Sequence, residues 1–286
     1  MVSNRRGGWA LHMILHGRKV VGGDVTGPVA KSTSPLSFLG EIDPRTGMVE
    51  NPSSELNGRS VAGTVLTFPE ARGSTVGPYV LYGAKKRGVA PVAMVVHNAD
   101  AIVASAAVLA RIPCVDSIPL DLLEDGDQIH VRGDAGIVEV PSVQEVHVVT
   151  SLLRNREGKV LLLRRSDRVG SFRGRWAGVS GFVEASSPEE QAYQEIQEET
   201  GIARETLVPV SQGDLVRSRD GGKVFVVHPF LFDCGSPEVR LDWEHTECRW
   251  IAPRDLSQFA TVPKLDQVFR SLGIDTTPAK APGGSP

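Results

Sequence analysis

The chain is expected to fold as an α/β protein of two domains, and three features predict this. Its 286 residues allow one or two domains, at roughly 100–200 residues each. Residues 18–140 alternate short β-rich runs with helical stretches, the pattern of a compact α/β unit. The second half carries a sharply bounded helix beside further strand-like runs.

In the first half, Lys19–Val25, Val61–Phe68, Val92–His97 and Gln128–Val140 read as strands broken by glycine and proline. Pro78–Arg87 and Asp100–Ala110 read as helices. The most suggestive local feature is Arg72-Gly73-Ser74-Thr75-Val76-Gly77-Pro78. Glycines flank a hydroxyl pair just before a helix start, where free backbone N–H groups and the positive dipole end favour an anion. Arg72 adds a fixed charge suited to carboxylate or phosphate. The plainer reading is capping: Ser74 or Thr75 caps the helix and the glycines make a turn.

In the second half, Ser187-Pro188-Glu189-Glu190 reads as an N-cap, a proline at the first helical position and a capping-box glutamate at the third. Ala192, Tyr193 and Ile196 supply the apolar side, and Gly201 suits a left-handed stop. Glu195, Glu198 and Glu199 stand at i, i+3 and i+4, so three like charges share one turn and destabilise a bare helix. A divalent cation turns that repulsion into coordination. Mg²⁺ favours one or two carboxylates plus substrate phosphates over a full protein cage. Metal-assisted attack on a phosphate ester or anhydride is the chemistry this suggests; a solvated acidic face is the alternative. Further along, Gly221-Gly222 reads as a hairpin turn between Asp214–Ser218 and Lys223–Val227. His228 is expected to be packed or hydrogen-bonded, and His245, beside Glu244, is a functional candidate.

Composition excludes other classes. Residues 1–140 hold 13 basic and 14 acidic side chains, and the remainder 18 and 20, giving a net −3 with no basic stripe. A nucleic-acid partner is therefore not expected. Apolar runs such as Ala101–Ala110 are far too short to span a bilayer. Arg5 and Arg6 precede no signal-peptide core, so a cytoplasmic location is expected. Cys114, Cys234 and Cys248 lack the close spacing of a zinc or cluster site and are expected to be buried, inert thiols. The Pro/Gly/Ser-rich tail, 276–286, is expected to be disordered. No internal repeat is found.

Gly181 to Ile202 resembles the Nudix box, whose pattern is Gly, five residues, Glu, seven residues, then Arg-Glu-apolar-any-Glu-Glu-any-Gly-apolar. Lys159–Arg165 resembles the strand before that box, and Trp176–Gly181 its usual approach. Trp243–Trp250 resembles a segment late in many members, and the likeness covers about Val146 to Leu272. It implies an α/β/α sandwich and hydrolysis of a nucleoside or isoprenoid diphosphate. Glu195, Glu198 and Glu199 would bind Mg²⁺, with Glu195 as ligand or as the base that activates water. Two departures stand out. Gln194 holds the arginine's place, and the loop before the helix is one residue short, so the first glutamate falls on Ser186. Glu184 is a candidate substitute for that carboxylate. The alternative these departures raise is a module that binds its ligand without hydrolysing it. Isoprenoid diphosphate isomerisation requires a cysteine just ahead of the helix, and Trp176–Glu184 contains none.

The first half resembles the small subunit of the aconitase X family. The residues that carry this are Ser34–Gly40, Asp43-Pro44-Arg45-Thr46-Gly47, the Gly-Ser-Thr-Val-Gly loop, Ala90-Pro91 and Ile112-Pro113. Archaeal members of that family include phosphomevalonate dehydratase. The resemblance implies a swivelling β/β/α domain in which Ser74 is the catalytic base that removes a proton next to a carboxylate. Arg72, Gly73 and Thr75 would bind the phosphorylated substrate. An iron–sulfur cluster, where present, is held by a separate large subunit, which is the implied partner. The expected organisation is therefore a swivel domain over 1–141, a Nudix domain over 142–275 and a tail over 276–286. If the first domain serves the archaeal mevalonate route, the second would act on a phosphorylated intermediate of that route.

Overall fold

The computed structural model describes residues 12–235 and 238–278. Arg5, Arg6 and most of the tail expected to be disordered lie outside them. The chain divides into two compact units, Met1–Glu145 with Gly221–Lys223, and Val146–Asp220 with Val224–Pro286. Among the described residues no helix is long and apolar enough to cross a membrane.

The first unit runs through β1 (His12–His16), β2 (Arg18–Val21), β3 (Asp24–Lys31), α1 (Phe38–Glu41), β4 (Val65–Phe68), α2 (Pro78–Lys86), β5 (Ala93–Val96), α3 (Ala101–Ala110), β6 (Cys114–Asp116), β7 (Gln128–Arg132) and the start of β8 (Ile137–Arg154). Its sheet order is β2-β6-β5-β4-β3-β7-β8, with β1 also on β8. Neighbours from β3 to β6 are parallel, and α2 and α3 lie in the crossovers such neighbours require. Every residue of β4 and β5 is buried, as expected of parallel strands covered on both faces. Leu66, Phe68, Met94 and Val96 share their core with Leu81 and Ala84 of α2 and Val103 and Ala107 of α3.

The expected strands of this unit needed correction where glycine turns the chain. Lys19–Val25 is not one strand but the end of β2 and the start of β3. Gly23 sits between them at φ +133°, and a Cβ there would lie 2.6 Å from Pro113. Gln128–Val140 is a hairpin, β7 and β8, turned over residues 133–136 with Gly136 at φ +67°. β4 begins only at Val65, because Gly63 occupies a turn at φ +73°. Neither Ser74 nor Thr75 caps α2: its N-cap is Gly77, with no side-chain capping bond. Asp100 does cap α3, accepting from the N–H groups of Ile102 and Val103 at 2.9 Å.

The second unit contains the rest of β8, then β9 (Val160–Arg165), β10 (Trp176–Ala177), β11 (Val179–Phe182), α4 (Pro188–Thr200), β12 (Val208–Gln212), β13 (Val216–Asp220), β14 (Lys223–Asp233), β15 (His245–Ile251) and α5 (Leu265–Ser271). Period-two alternation sorts its strands between two cores. Val149 and Leu153 of β8, Leu161 and Leu163 of β9, and Phe230 and Phe232 of β14 face Ala192, Tyr193 and Ile196 of α4. The intervening Leu152, Val160, Leu162 and Leu231 join Leu265, Val268 and Phe269 of α5. A helix on each face of a mixed sheet is the expected α/β/α sandwich.

Helix α4 starts and stops where its sequence directs. The Ser187 hydroxyl accepts from the Glu190 N–H at 3.2 Å, and Gly201 adopts φ 70° with its N–H on Gln197 O at 2.9 Å. In place of the reciprocal half of the capping box, the Glu190 carboxylate pairs with Arg204 at 2.8 Å. Ser187→Ala is expected to cost about 1 kcal/mol, read as a lower urea midpoint for the second unit at unchanged m-value.

Gly221-Gly222 turns the β13–β14 hairpin as expected. The three cysteines are unpaired, and only Cys114 and Cys234 are buried; Cys248 is half-buried, a correction. Burial pushes the Cys114 thiol up to about 12 and the Cys234 thiol up to about 11.

Candidate functional site

The carboxylates of α4 are not equivalent. Glu199 is 3% exposed, Glu195 is half-buried and Glu198 stands in solvent. The i, i+4 pair is thus directed into the unit, and the third residue lies at its rim. Gly181 makes room for this: a Cβ there would lie 1.8 Å from Glu195 Oε1. The Ser180 N–H points to Glu199 Oε2 at 3.4 Å, and Ser180 Oγ is 3.0 Å from Thr150 Oγ1.

More negative charge arrives just ahead of β15. Asp242 accepts from the Glu244 N–H at 3.1 Å and lies 3.0 Å from His245 Nδ1. His245 is buried, and its Nε2 stands 3.9 Å from Glu199, too long for a hydrogen bond. Burial holds its imidazole below the ordinary value, against the pull of Asp242, so the ring is neutral near pH 7. Burial likewise lifts the Glu195 carboxyl above the usual range, opposed by the Gln191 amide and reinforced by Glu198, Glu244 and Asp242. Glu199 is pushed well above that range, first by burial and then by Glu195.

Beside these groups opens a cavity of about 230 Å³ lined by Arg165, Phe172, Phe182, Phe225, Glu195 and Glu244, among others. Its walls are largely aromatic and apolar, and its charges are one guanidinium and two carboxylates. Among the described residues no set of three or more His, Cys, Asp or Glu side chains is gathered to hold a metal ion. Glu195 and Glu199 offer hard oxygen donors of the kind Mg²⁺ takes together with phosphate oxygens. The donor set fits in kind: hard carboxylate oxygens, Glu199 buried and Glu195 half-buried at the cavity wall.

Two residues here escaped the sequence reading. Asp242 adjoins the recognised Trp243–Trp250 segment by one position, the signal that could have found it. Gln191 is buried, donates to Glu195 Oε1 at 2.7 Å and accepts from the N–H groups of Glu184 and Ala185 at 2.9 and 2.8 Å. Only its i, i+4 spacing to Glu195 marked it. The Glu184 side chain and Gln194 are both exposed. His228 is hydrogen-bonded as expected, 2.9 Å from His147.

The first unit holds the other candidate group. Arg72, Gly73, Ser74 and Thr75 are all exposed, on the turn that leads into α2. Two separated segments build it: Leu36 pairs with Ala71, the Arg72 N–H donates to Leu36 O at 3.0 Å, and Gly73 approaches Ser37 so closely that a Cβ would lie 2.8 Å from its Oγ. Gly73 also holds φ +99°, which suits glycine alone. Ser74 Oγ accepts the Val76 N–H at 3.3 Å, while the Arg72 guanidinium donates to the buried Glu41 carboxylate at 2.9 Å. The donor on the serine oxygen is thus backbone, and Arg72 is already engaged. Leu39, Val76, Tyr79 and Tyr82 leave large apolar surface exposed around this turn.

Residues 14–140 match the aconitase X swivel domain, and residues 145–272 match the NUDIX domain. The chain is similar to the phosphomevalonate dehydratase small subunit of Thermococcus onnurineus, 50% identical over 128 residues that make up 45% of this chain and 98% of that protein. It is also similar to a crystal structure of Thermococcus kodakaraensis aconitase X in its holo-form, 46% identical with a TM-score of 0.44, over 45% of this chain and 98% of that one. A further likeness is to a MutT protein of Methanosarcina mazei Go1, 30% identical with a TM-score of 0.39, over 45% of this chain and 93% of that one.

Proposed function

This chain belongs to the family of phosphomevalonate dehydratase small subunits and carries a NUDIX domain after the swivel domain, and we propose that it performs one chemistry with each. The NUDIX domain hydrolyses a nucleoside or isoprenoid diphosphate with Mg²⁺. The swivel domain supplies Ser74 to a dehydratase site completed by a separate large subunit. The proposed domain limits are 1–141 and 142–275. The observation that carries the hydrolase reading is the buried Glu199 carboxylate, paired with Glu195 beside an aromatic-walled cavity.

Glu195 and Glu199 would hold the cation, with Glu198 at the rim as a further oxygen donor. Bound Mg²⁺ would neutralise charge on the phosphates and reverse the local pKa order. Glu195 opens on the cavity and is placed to accept a proton from attacking water. Arg165 meets the phosphate charge, and Phe172, Phe182 and Phe225 exclude water and hold the organic part. In the swivel domain the Val76 N–H favours the ionised Ser74 hydroxyl, which would take the proton next to a substrate carboxylate. Arg72, Gly73 and Thr75 line that turn as its anion-binding partners. An iron–sulfur cluster, where the complex has one, would be supplied by the large subunit. The exposed apolar surface of Leu39, Val76, Tyr79 and Tyr82 is where the large subunit would cover Ser74.

Purified protein given Mg²⁺ and a panel of nucleoside and isoprenoid diphosphates should release phosphate or a monophosphate, and chelation should stop it. No release from any member would defeat the hydrolase half of the proposal. Tight, Mg²⁺-dependent binding of a panel member without turnover would support the second reading, a ligand-binding module. The exposed Gln194 in the place of the box arginine is the observation in its favour.

A further inference from the structure

The box arginine and first glutamate are both missing here, yet the loop before α4 and the carboxylate of Glu195 are firmly tied, and one side chain does the tying. Gln191 lies a full turn before Glu195 and is 7% exposed. Its amide nitrogen donates to Glu195 Oε1 at 2.7 Å. Its carbonyl oxygen accepts from two successive loop N–H groups, Glu184 at 2.9 Å and Ala185 at 2.8 Å. Both ends of the amide are therefore used, and the two uses together need an amide: an ionised carboxylate cannot donate, and a lysine cannot accept. Gln194, at the arginine's position, is exposed.

We propose that Gln191 is the positioning residue of this site, clamping the shortened loop to the helix and aiming Glu195 into the cavity in place of the missing arginine. The inference rests on the metal-dependent reading of the NUDIX domain. The clamp explains how a loop one residue short is tolerated. A long loop can wrap a charged pair; a shorter one must be held by something already on the helix, and the i, i+4 geometry supplies it. Gly181 completes the fit, since any side chain there would evict the Glu195 carboxylate from where Gln191 holds it.

The test is Mn²⁺ binding by the full-length protein, followed by electron paramagnetic resonance, for wild type, Gln191→Met and Gln191→Glu. Partners that orient a metal ligand typically change affinity 10–100-fold when removed. Gln191→Met should weaken Mn²⁺ binding by roughly that factor, with Glu184 and Ala185 amides exchanging faster with solvent. Gln191→Glu keeps an acceptor for the loop, so those amides should stay protected, while turnover of an accepted diphosphate falls at least about tenfold at unchanged KM. That variant also keeps the test decisive should Gln191→Met fail to fold. Wild-type Mn²⁺ affinity in Gln191→Met, or wild-type turnover in Gln191→Glu, would overturn the assignment of Gln191 alone. A wild-type protein that binds no Mn²⁺ would overturn both this inference and the metal reading beneath it.

Discussion

Glu199→Gln is expected to abolish Mg²⁺-dependent hydrolysis and, in the same protein, to raise the stability of the metal-free second unit as pH rises past the ordinary glutamate range. The two effects have one cause. Glu199 is nearly inaccessible to water, and its neighbours Glu195, Asp242 and Glu244 are all acidic. An ionised carboxylate in such a place lacks both solvent and a paired cation, which is costly unless a metal completes it. Glutamine keeps the shape and loses the charge. Turnover should fall by more than the roughly 10–100-fold typical of a residue acting through a ligand.

The sign of the stability effect follows from linkage. Burial raises the folded-state pKa of Glu199 above its unfolded value, so the folded protein binds the proton more tightly. The stability this contributes is complete below the ordinary glutamate range and is lost as pH rises through the raised folded pKa. Metal-free wild type should therefore lose unfolding free energy from about pH 4.5 upward, Glu199→Gln should show a flatter profile, and added Mg²⁺ should restore the wild type alone. Parallel profiles with and without Mg²⁺ would remove Glu199 from the metal site. Glu198→Gln, at the solvent rim, should lower activity less than Glu199→Gln does.

Local signals were legible in the sequence where a single segment determines its own geometry. Ser187, Pro188 and Gly201 bound α4 correctly because capping satisfies backbone groups within a few residues. The strand runs that hold β4 and β5 and the helical run of α3 were equally local. What escaped was decided between distant segments. Gly23 breaks a strand because Pro113 lies against it, and Gly73 must be glycine because Ser37 lies across from it. The capping-box expectation for Glu190 half failed because Arg204, fourteen residues on, offers a stronger partner. The three α4 carboxylates were placed together on one face as metal ligands, yet only the sheet beneath decides which are buried. Gln191 was silent for the same reason: its importance lies in loop N–H groups whose approach no periodicity encodes.

Ser74→Ala is expected to end dehydration by the complex with a large subunit while leaving that complex intact. A general base contributes roughly 10²–10⁴-fold, and the Ser74 hydroxyl is exposed, its one bond here being to the Val76 N–H at 3.3 Å, so its loss should not unfold the domain. Its environment explains why it must be covered to act. In water a serine hydroxyl is far too weak a base, and the Val76 N–H at 3.3 Å offers only one neutral donor. Arg72 gives one donor to Glu41, which moderates its charge beside the turn without removing it. A partner that seals the turn would exclude solvent and strengthen every dipole aimed at the oxygen. Leu39, Val76, Tyr79 and Tyr82 give that partner apolar surface to bury. Tyr79→Asp should therefore weaken co-purification with the large subunit and leave the fold of the isolated chain unchanged, whereas Ser74→Ala should co-purify normally and turn over nothing. Gly73→Ala should resemble neither: strain at φ +99° and the contact with Ser37 would displace the turn itself, lowering both binding and turnover. A Ser74→Ala complex that still dehydrates at the wild-type rate would transfer the base to another residue and leave this turn a simple anion site.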